Sequence, residues 1–311
     1  MTKQEYIEFQ KETVAKSRTI YQKALGFCPS LFTKGKYSDF LSFLAKWNHF
    51  SAVNAVLLYM QYPAATYLSG FQKWQKLALE QGYDSNYMII KPDQRKKGIT
   101  LLIPFSFSNI QEVAGHKEDQ RYLTYKSILV FDVSQINNLQ APPCFSPYVP
   151  IPNLSFKPLI TILREQFQND FIIAPGGPED PNFRFSRAYL KGNMIYYQDS
   201  APDQDKIMDI VKEMVRFYVN KICKDEKEND LILLSTLYSI FRYYNYPTQR
   251  IEFSSIDFYQ SLPAERLFRI IHYICTLTQY FIYEFHKAYD CFLSNYSDRE
   301  SNRILGQYNK S

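Results

Sequence analysis

Six prolines fall between Ala141 and Pro158: Pro142, Pro143, Pro147, Pro150, Pro152 and Pro158. Proline lacks a backbone N–H and fixes φ, so a stretch this dense cannot continue a helix and suits a semi-rigid, extended connector. The segment divides the 311-residue chain into two parts, each long enough to bury its own core. The expected organisation is a first domain over residues 1–137, a proline-rich linker over 138–158, a second domain over 159–297 and a polar tail over 298–311.

Before the linker the apolar spacing reads as helices followed by strands. Residues 4–24 and 36–48 carry helical periodicity, broken by Gly26, Pro29 and Gly35. Ser51 can cap a helix over Ala52–Gln61 that Pro63 stops, and a short helix follows from Gly70 through Glu80. Met88–Ile90, Ile99–Phe105 and Ser127–Val133 read as strands. After the linker, Ala188–Leu190 and Met194–Tyr197 flank a turn at Lys191–Asn193 and read as a hairpin. A helix then starts at Pro202, with Asp203, Asp205 and Asp209 at its positive end and Ile207, Val211, Met214, Val215 and Tyr218 along its apolar stripe. Leu231–Tyr244 and Pro263–Asn295 complete a helical remainder, so the fold class expected is α+β.

Composition removes several function classes. Only 10 glycines occur, and no phosphate-loop, dinucleotide or nucleophile-elbow pattern is present. The N-terminus leads into no apolar run, and the uncharged stretch Ile270–Tyr283 is too short to span a bilayer. Cys28, Cys144, Cys223, Cys275 and Cys291 form no CxxC pair, which fits buried thiols in a reducing compartment; a cytoplasmic protein with no membrane partner is expected. Charge is unevenly placed. Residues 1–137 hold 17 Lys and Arg against 11 Asp and Glu, while 138–311 hold 19 against 20, so the basic excess lies wholly in the first part. An excess of that kind is often only a solvated surface, yet it also suits a polyanionic partner.

The first part also carries a series of short motifs in fixed order. Ser51, Asn54 and Leu57-Leu58 are followed by Gln61, Pro63, Ala65-Thr66, then Gly70-Phe71, Trp74 and Gln75-Lys76. A basic turn, Lys91-Pro92-Asp93-Gln94-Arg95-Lys96-Lys97-Gly98, leads into Ile99 and Leu101-Leu102-Ile103-Pro104, and Val130-Phe131-Asp132-Val133-Ser134-Gln135 closes the series. Over about residues 36–136 this order resembles the N-terminal domain of ArdC-type antirestriction proteins, a family with relatives on conjugative plasmids. Pro92-Asp93-Gln94 stands where that family has a glycine in the turn.

The resemblance implies binding of single-stranded DNA by a protein of mobile-element type. Lys76, Lys91, Arg95, Lys96 and Lys97 would then neutralise phosphates, with Asn54 in the same binding set. Phe71, Trp74 or Tyr87 would stack bases, at about 1–3 kcal/mol per base and with little sequence preference. Each residue also has a structural reading. Trp74 suits a core as well as a stacking platform, and Asn54 suits a hydrogen bond to a neighbouring loop.

In the second part the resemblance continues into a zincin-like metallopeptidase domain. There a helix bearing H-E-x-x-H grips zinc through two imidazoles one turn apart, and a later helix supplies a third carboxylate ligand. This chain reads Lys212-Glu213-Met214-Val215-Arg216 at the motif, and the later ligand falls on Leu234. Lysine and arginine carry positive charge and leucine carries no donor, so the domain is expected to lack metal ligands, cofactor and catalysis, with Glu213 a vestigial base. The four histidines offer no replacement: His49 and His116 lie in the first part, while His272 and His286 are separated by 14 positions.

The function expected is therefore single-stranded DNA binding, beside a pseudoenzyme domain. Two alternatives stand beside it: a protein-interaction module whose metal-free peptidase groove holds a protein partner, and a zinc metallopeptidase with unusual ligands.

Overall fold

The computed structural model describes residues 3–84, 88–113, 116–139, 156–177, 180–184 and 186–295. In chain order the elements are α1 (Lys3–Phe27), α2 (Lys36–Lys46), α3 (Ala52–Gln61), β1 (Leu68–Gly70), α4 (Phe71–Glu80), β2 (Ile99–Val113) and β3 (His116–Asp132). They continue with α5 (Phe156–Gln166), β4 (Ile172–Pro175), β5 (Ala188–Lys191), β6 (Met194–Tyr197), α6 (Asp203–Ile222), α7 (Glu226–Tyr243), α8 (Ile256–Tyr259) and α9 (Ala264–Asn295). The class is α+β, with two three-stranded sheets ordered β1-β3-β2 and β4-β6-β5. The chain separates into two compact units, each discontinuous in sequence. The first comprises Met1–Phe43, Phe50–Pro147 and Ser255–Phe268, and the second Leu44–His49, Tyr148–Ser254 and Arg269–Ser311. Most of the expected linker and the polar tail lie outside the described residues.

In the first unit β2 and β3 form an antiparallel ribbon whose register runs without interruption from Ile99↔Val130 to Val113↔His116. The strands expected at Ile99–Phe105 and Ser127–Val133 are only its inner part. β1 adds to the far side of β3 from Leu68↔Asp132 to Gly70↔Val130. The third expected strand, Met88–Ile90, is reduced to the single bridge Ile90↔Ile136. Pro92 follows closely and turns the chain away, so no ladder can extend. A core of Tyr67, Trp74, Ala78, Ile89, Phe131, Ile136 and Leu139 packs α4 onto this end of the sheet.

Because β2 is an edge strand, its outward backbone groups need partners. Two amide side chains of α3 supply them. Asn54 donates to the Leu102 carbonyl at 2.8 Å and accepts its N–H at 2.8 Å. Gln61 does the same at Thr100, at 2.9 Å in each direction. Residues two apart on a strand present their backbone to the same side, so one helix covers both. On β3, the Ser17 hydroxyl of α1 donates to the Tyr125 carbonyl at 2.6 Å.

In the second unit β6 joins a parallel partner, β4, to an antiparallel one, β5. The β5–β6 turn is the two residues Gly192 and Asn193, and Gly192 has the positive φ of 64° that such a tight turn requires. α6 begins after Pro202 with Asp203 and Asp205 in its first turn, and α7 is capped by the Asp225 carboxylate, which accepts from the N–H groups of Lys227 and Glu228. An aromatic core gathers Phe167, Phe171, Tyr218 and Phe281. In this unit two elements, α5 and β4, escape sequence reading. α5 starts at Phe156, inside the expected linker, because Pro158 in a first helical turn removes no needed hydrogen bond. The four residues of β4 are too few to set a period, although the turn residues Pro175-Gly176-Gly177 mark where it ends.

Candidate functional sites

The basic turn of the first unit is held from three sides. The Lys91 N–H donates to the Gln135 carbonyl at 3.0 Å and the Lys97 N–H to the Gln94 carbonyl at 2.9 Å. The Lys91 ammonium donates to the Ser134 carbonyl at 2.7 Å. Gln135 then closes the loop: its side-chain N–H donates to the Lys97 carbonyl at 2.9 Å, and its Oε1 accepts the Asp132 N–H at 2.9 Å. Asp132, fully buried, accepts from the N–H groups of Thr66, Tyr67 and Ser134 at 2.6, 2.9 and 3.0 Å. The Val130–Gln135 motif is thus a clamp. Asp132 ties it to the 66–67 segment, and Gln135 ties it to the turn.

On that clamped turn Arg95, Lys96 and Lys97 are all exposed, and no ion pair engages them among the described residues. Their charge is available to a polyanion without a prior pair to break. Lys91 is half-buried, with its ammonium spent on Ser134. Lys76 is exposed and sits 3.8 Å from Glu80, one helical turn on. Phe71, at the start of α4, is 47% exposed and open to a base. Tyr87 lies outside the described residues.

Two residues from the expected binding set sit in the wrong place to bind. Trp74 is 1% exposed, its indole N–H donates to the Phe131 carbonyl at 3.1 Å, and Tyr67 packs edge-on at 5.0 Å. Its ring is core, with no face for a base. Asn54 is 8% exposed and spends both amide atoms on Leu102. The serial motif that carries Asn54 and Gln61 is a device for covering a sheet edge.

In the second unit α6 carries Lys212, Glu213 and Arg216. Lys212 and Leu234 do come together: both line a cleft of about 170 Å³, shared with Arg187, Asp205, Asp209 and Arg250. Asp205 pairs there with Arg187 and, at 3.3 Å, with Arg250. The neighbouring Asp209 carboxyl is pushed upward by burial, an effect opposed by Lys212 and Arg187. Arg216 lines a second hollow with Asn220, Cys223, Lys224 and Asn229.

Glu213 is 3% exposed and Arg216 lies 3.4 Å from its carboxylate. Burial raises its pKa above the usual range, while Arg216, Lys212 and a backbone hydrogen bond from Leu190 pull it back. β5 is an edge of its sheet. The Glu213 carboxylate therefore serves the backbone of that edge and a neighbouring guanidinium.

A divalent metal does not fit these positions. Lys212 and Arg216 offer no lone pair at neutral pH and would repel the ion, and Leu234 is hydrocarbon. Among the described residues no group of three His, Cys, Asp or Glu side chains is placed to hold a metal. His286 is hydrogen-bonded, its Nε2 lying 2.8 Å from the Tyr243 hydroxyl. No helix among the described residues is long and apolar enough to cross a membrane.

No family model matches the chain, and no curated protein matches it. Solved structures similar to it are those of the antirestriction ArdC protein from the R388 plasmid, the family whose motifs the sequence resembles. The metal-free crystal structure is 14% identical with a TM-score of 0.47, over 78% of this chain and 86% of that one. The Mn(II)-bound structure is 15% identical with a TM-score of 0.48, over 89% of this chain and 98% of that one.

Proposed function

We propose that this protein binds single-stranded DNA through its first unit and that its second unit is a metallopeptidase-like domain without catalysis. The observation that carries the first half is the clamped turn bearing Arg95, Lys96 and Lys97, exposed and free of ion pairs among the described residues. A fixed backbone presenting three free cations tracks phosphates without ordering a loop on binding. Phe71, at the start of α4 and 47% exposed, adds a sequence-tolerant stacking face. Support for the second half is chemical: the ligand positions read Lys212, Arg216 and Leu234, and Glu213 is buried against Arg216. Binding makes and breaks no bond. A role in protecting incoming single strands of a mobile element belongs to this reading by motif resemblance.

The test is fluorescence anisotropy with labelled single-stranded and duplex oligonucleotides of equal length. Tighter binding of the single strand supports the reading. Equal or tighter binding of the duplex sinks the single-strand preference, and no binding to either at low salt sinks the nucleic-acid reading.

A further inference from the structure

We propose that Tyr125 and Leu129 form the base-facing platform of this same single-stranded nucleic-acid site, continuing outward along β3 from the basic turn. The inference rests on the DNA-binding reading and adds to it residues that no sequence motif marks.

The register of the ribbon fixes which side chains share a face. Leu129 pairs with Thr100, Ser127 with Leu102 and Tyr125 with Pro104, so Leu129, Ser127 and Tyr125 project from one side of β3. Phe131 lies on that side too, where α4 covers it. Past the reach of α4 two side chains of this face surface: Leu129 is 59% exposed and Tyr125 45%, with Pro104 exposed opposite Tyr125, while Ser127 between them is half-buried and its partner Leu102 is buried.

The basic turn lies against the inner end of this strip. A Cβ added to Gly98 would stand 3.1 Å from Cζ of Phe131 and 3.2 Å from Cδ2 of Leu129. Lys97, the residue before Gly98, therefore sits beside the exposed Leu129. Isolated exposed apolar residues are ordinary on protein surfaces. Here a leucine and a tyrosine stand on one strand face, about 13 Å apart at strand rise, and continue from three cations that no ion pair engages among the described residues. The backbone under Tyr125 is also pinned by Ser17, so its ring is presented from a fixed position. A chain of phosphates at the turn with bases laid outward on Leu129 and Tyr125 matches both chemistries. A duplex, with its bases paired inside, would leave the platform unused.

The experiment compares a labelled oligodeoxythymidine with an abasic oligonucleotide of the same length, which keeps the phosphates and lacks the bases. Tyr125→Ala is expected to weaken oligodeoxythymidine binding roughly 5- to 140-fold and to leave abasic binding unchanged. Tyr125→Phe, which keeps the ring, is expected to bind like the parent. Leu129→Ala gives a smaller loss of the same kind, and thermal melts of each variant confirm that the fold is kept. Charge reversal of Arg95, Lys96 and Lys97 weakens both ligands. The platform is overturned if Tyr125→Ala leaves oligodeoxythymidine affinity intact or weakens both ligands equally. If the parent protein binds neither ligand, the DNA reading itself has failed, independently of the platform.

Discussion

Gln135 donates a side-chain N–H to the Lys97 carbonyl at 2.9 Å, joining the last residue of one motif to the basic turn of another. Gln135 is 1% exposed, so replacing it with leucine strands the Asp132 N–H and the Lys97 carbonyl. Gln135→Leu is expected to cost about 1–3 kcal/mol in a urea melt. Because it also unpins the turn while removing no charge, affinity for single-stranded DNA should fall in the folded variant. Unchanged affinity would mean that the turn needs no anchoring.

Asn54 and Gln61 act together on β2, and neither is expected to touch DNA. Asn54→Leu leaves both backbone groups of Leu102 without partners and should cost about 2–4 kcal/mol, since two buried groups are stranded. Its affinity per folded molecule should match the parent. A loss of affinity without a loss of stability would return Asn54 to the binding set.

Trp74 is 1% exposed and Trp47 is 5% exposed, and these are the chain's two tryptophans. Their emission is therefore expected to be blue-shifted and unquenched when single-stranded DNA is added. Trp74→Ala should cost about 3–5 kcal/mol, the usual loss for a large aromatic removed from a core. Strong quenching by DNA would place a tryptophan at the interface.

Zinc content tests the second unit. Protein purified without chelator and dialysed is expected to hold no stoichiometric zinc by mass spectrometry of metals. Lys212 and Leu234 already share a cleft, and Arg216 lies one turn from Lys212. The triple change Lys212→His, Arg216→His and Leu234→Glu should therefore create a site that takes up about one zinc per chain, the tetrahedral complement of three protein ligands and a water. Zinc at one equivalent in the parent would overturn the pseudoenzyme reading.

The Glu213 carboxyl is held above its ordinary pKa, chiefly by burial. A carboxyl whose folded pKa exceeds its unfolded value contributes stability below the unfolded pKa and loses it as pH rises through the folded one. Glu213→Gln keeps an acceptor for the Leu190 N–H and cannot ionise. Its melting temperature relative to the parent is expected to improve as pH rises from about 4 to 8, a window that begins near the ordinary Glu value. A difference that is flat with pH, or that reverses, would show that the Arg216 pair outweighs burial.

Much of the fold is legible in single residues. Ser51 stands at the N-cap position of α3, although its side chain makes no capping hydrogen bond, and Pro63 follows the helix end. Gly192-Asn193 marks the β5–β6 hairpin, and Pro202 with Asp203 opens α6, because helix starts and turns are set by local residues. Lys212 and Arg216 could be read as metal-incompetent from residue type alone, and the structure brings Leu234 to the same cleft as Lys212. What a motif cannot reveal is which side of the sheet each member faces. Asn54 and Trp74 belong to the motif series yet point inward, where backbone groups of β2 and β3 consume their polar atoms. Tyr125 and Leu129 lie outside every motif, and only the strand register puts them on an open face beside the turn. The outer ribbon is longer than its alternation: Phe105-Ser106-Phe107-Ser108 alternates, but beyond it Asn109, Gln111 and Glu112 interrupt the pattern, and it is the pairing with the neighbouring strand that runs on.

The most direct test of the central claim is the salt dependence of single-stranded DNA affinity, measured for the parent and for the variant Arg95→Ala, Lys96→Ala, Lys97→Ala. For single strands log K falls with log salt by about 0.7 for each phosphate neutralised. The account predicts a steep slope for the parent and a slope shallower by about 2 for the variant, three contacts at that value, with weaker binding at low salt. An identical slope in the two proteins would contradict it and move the phosphate contacts elsewhere on the surface.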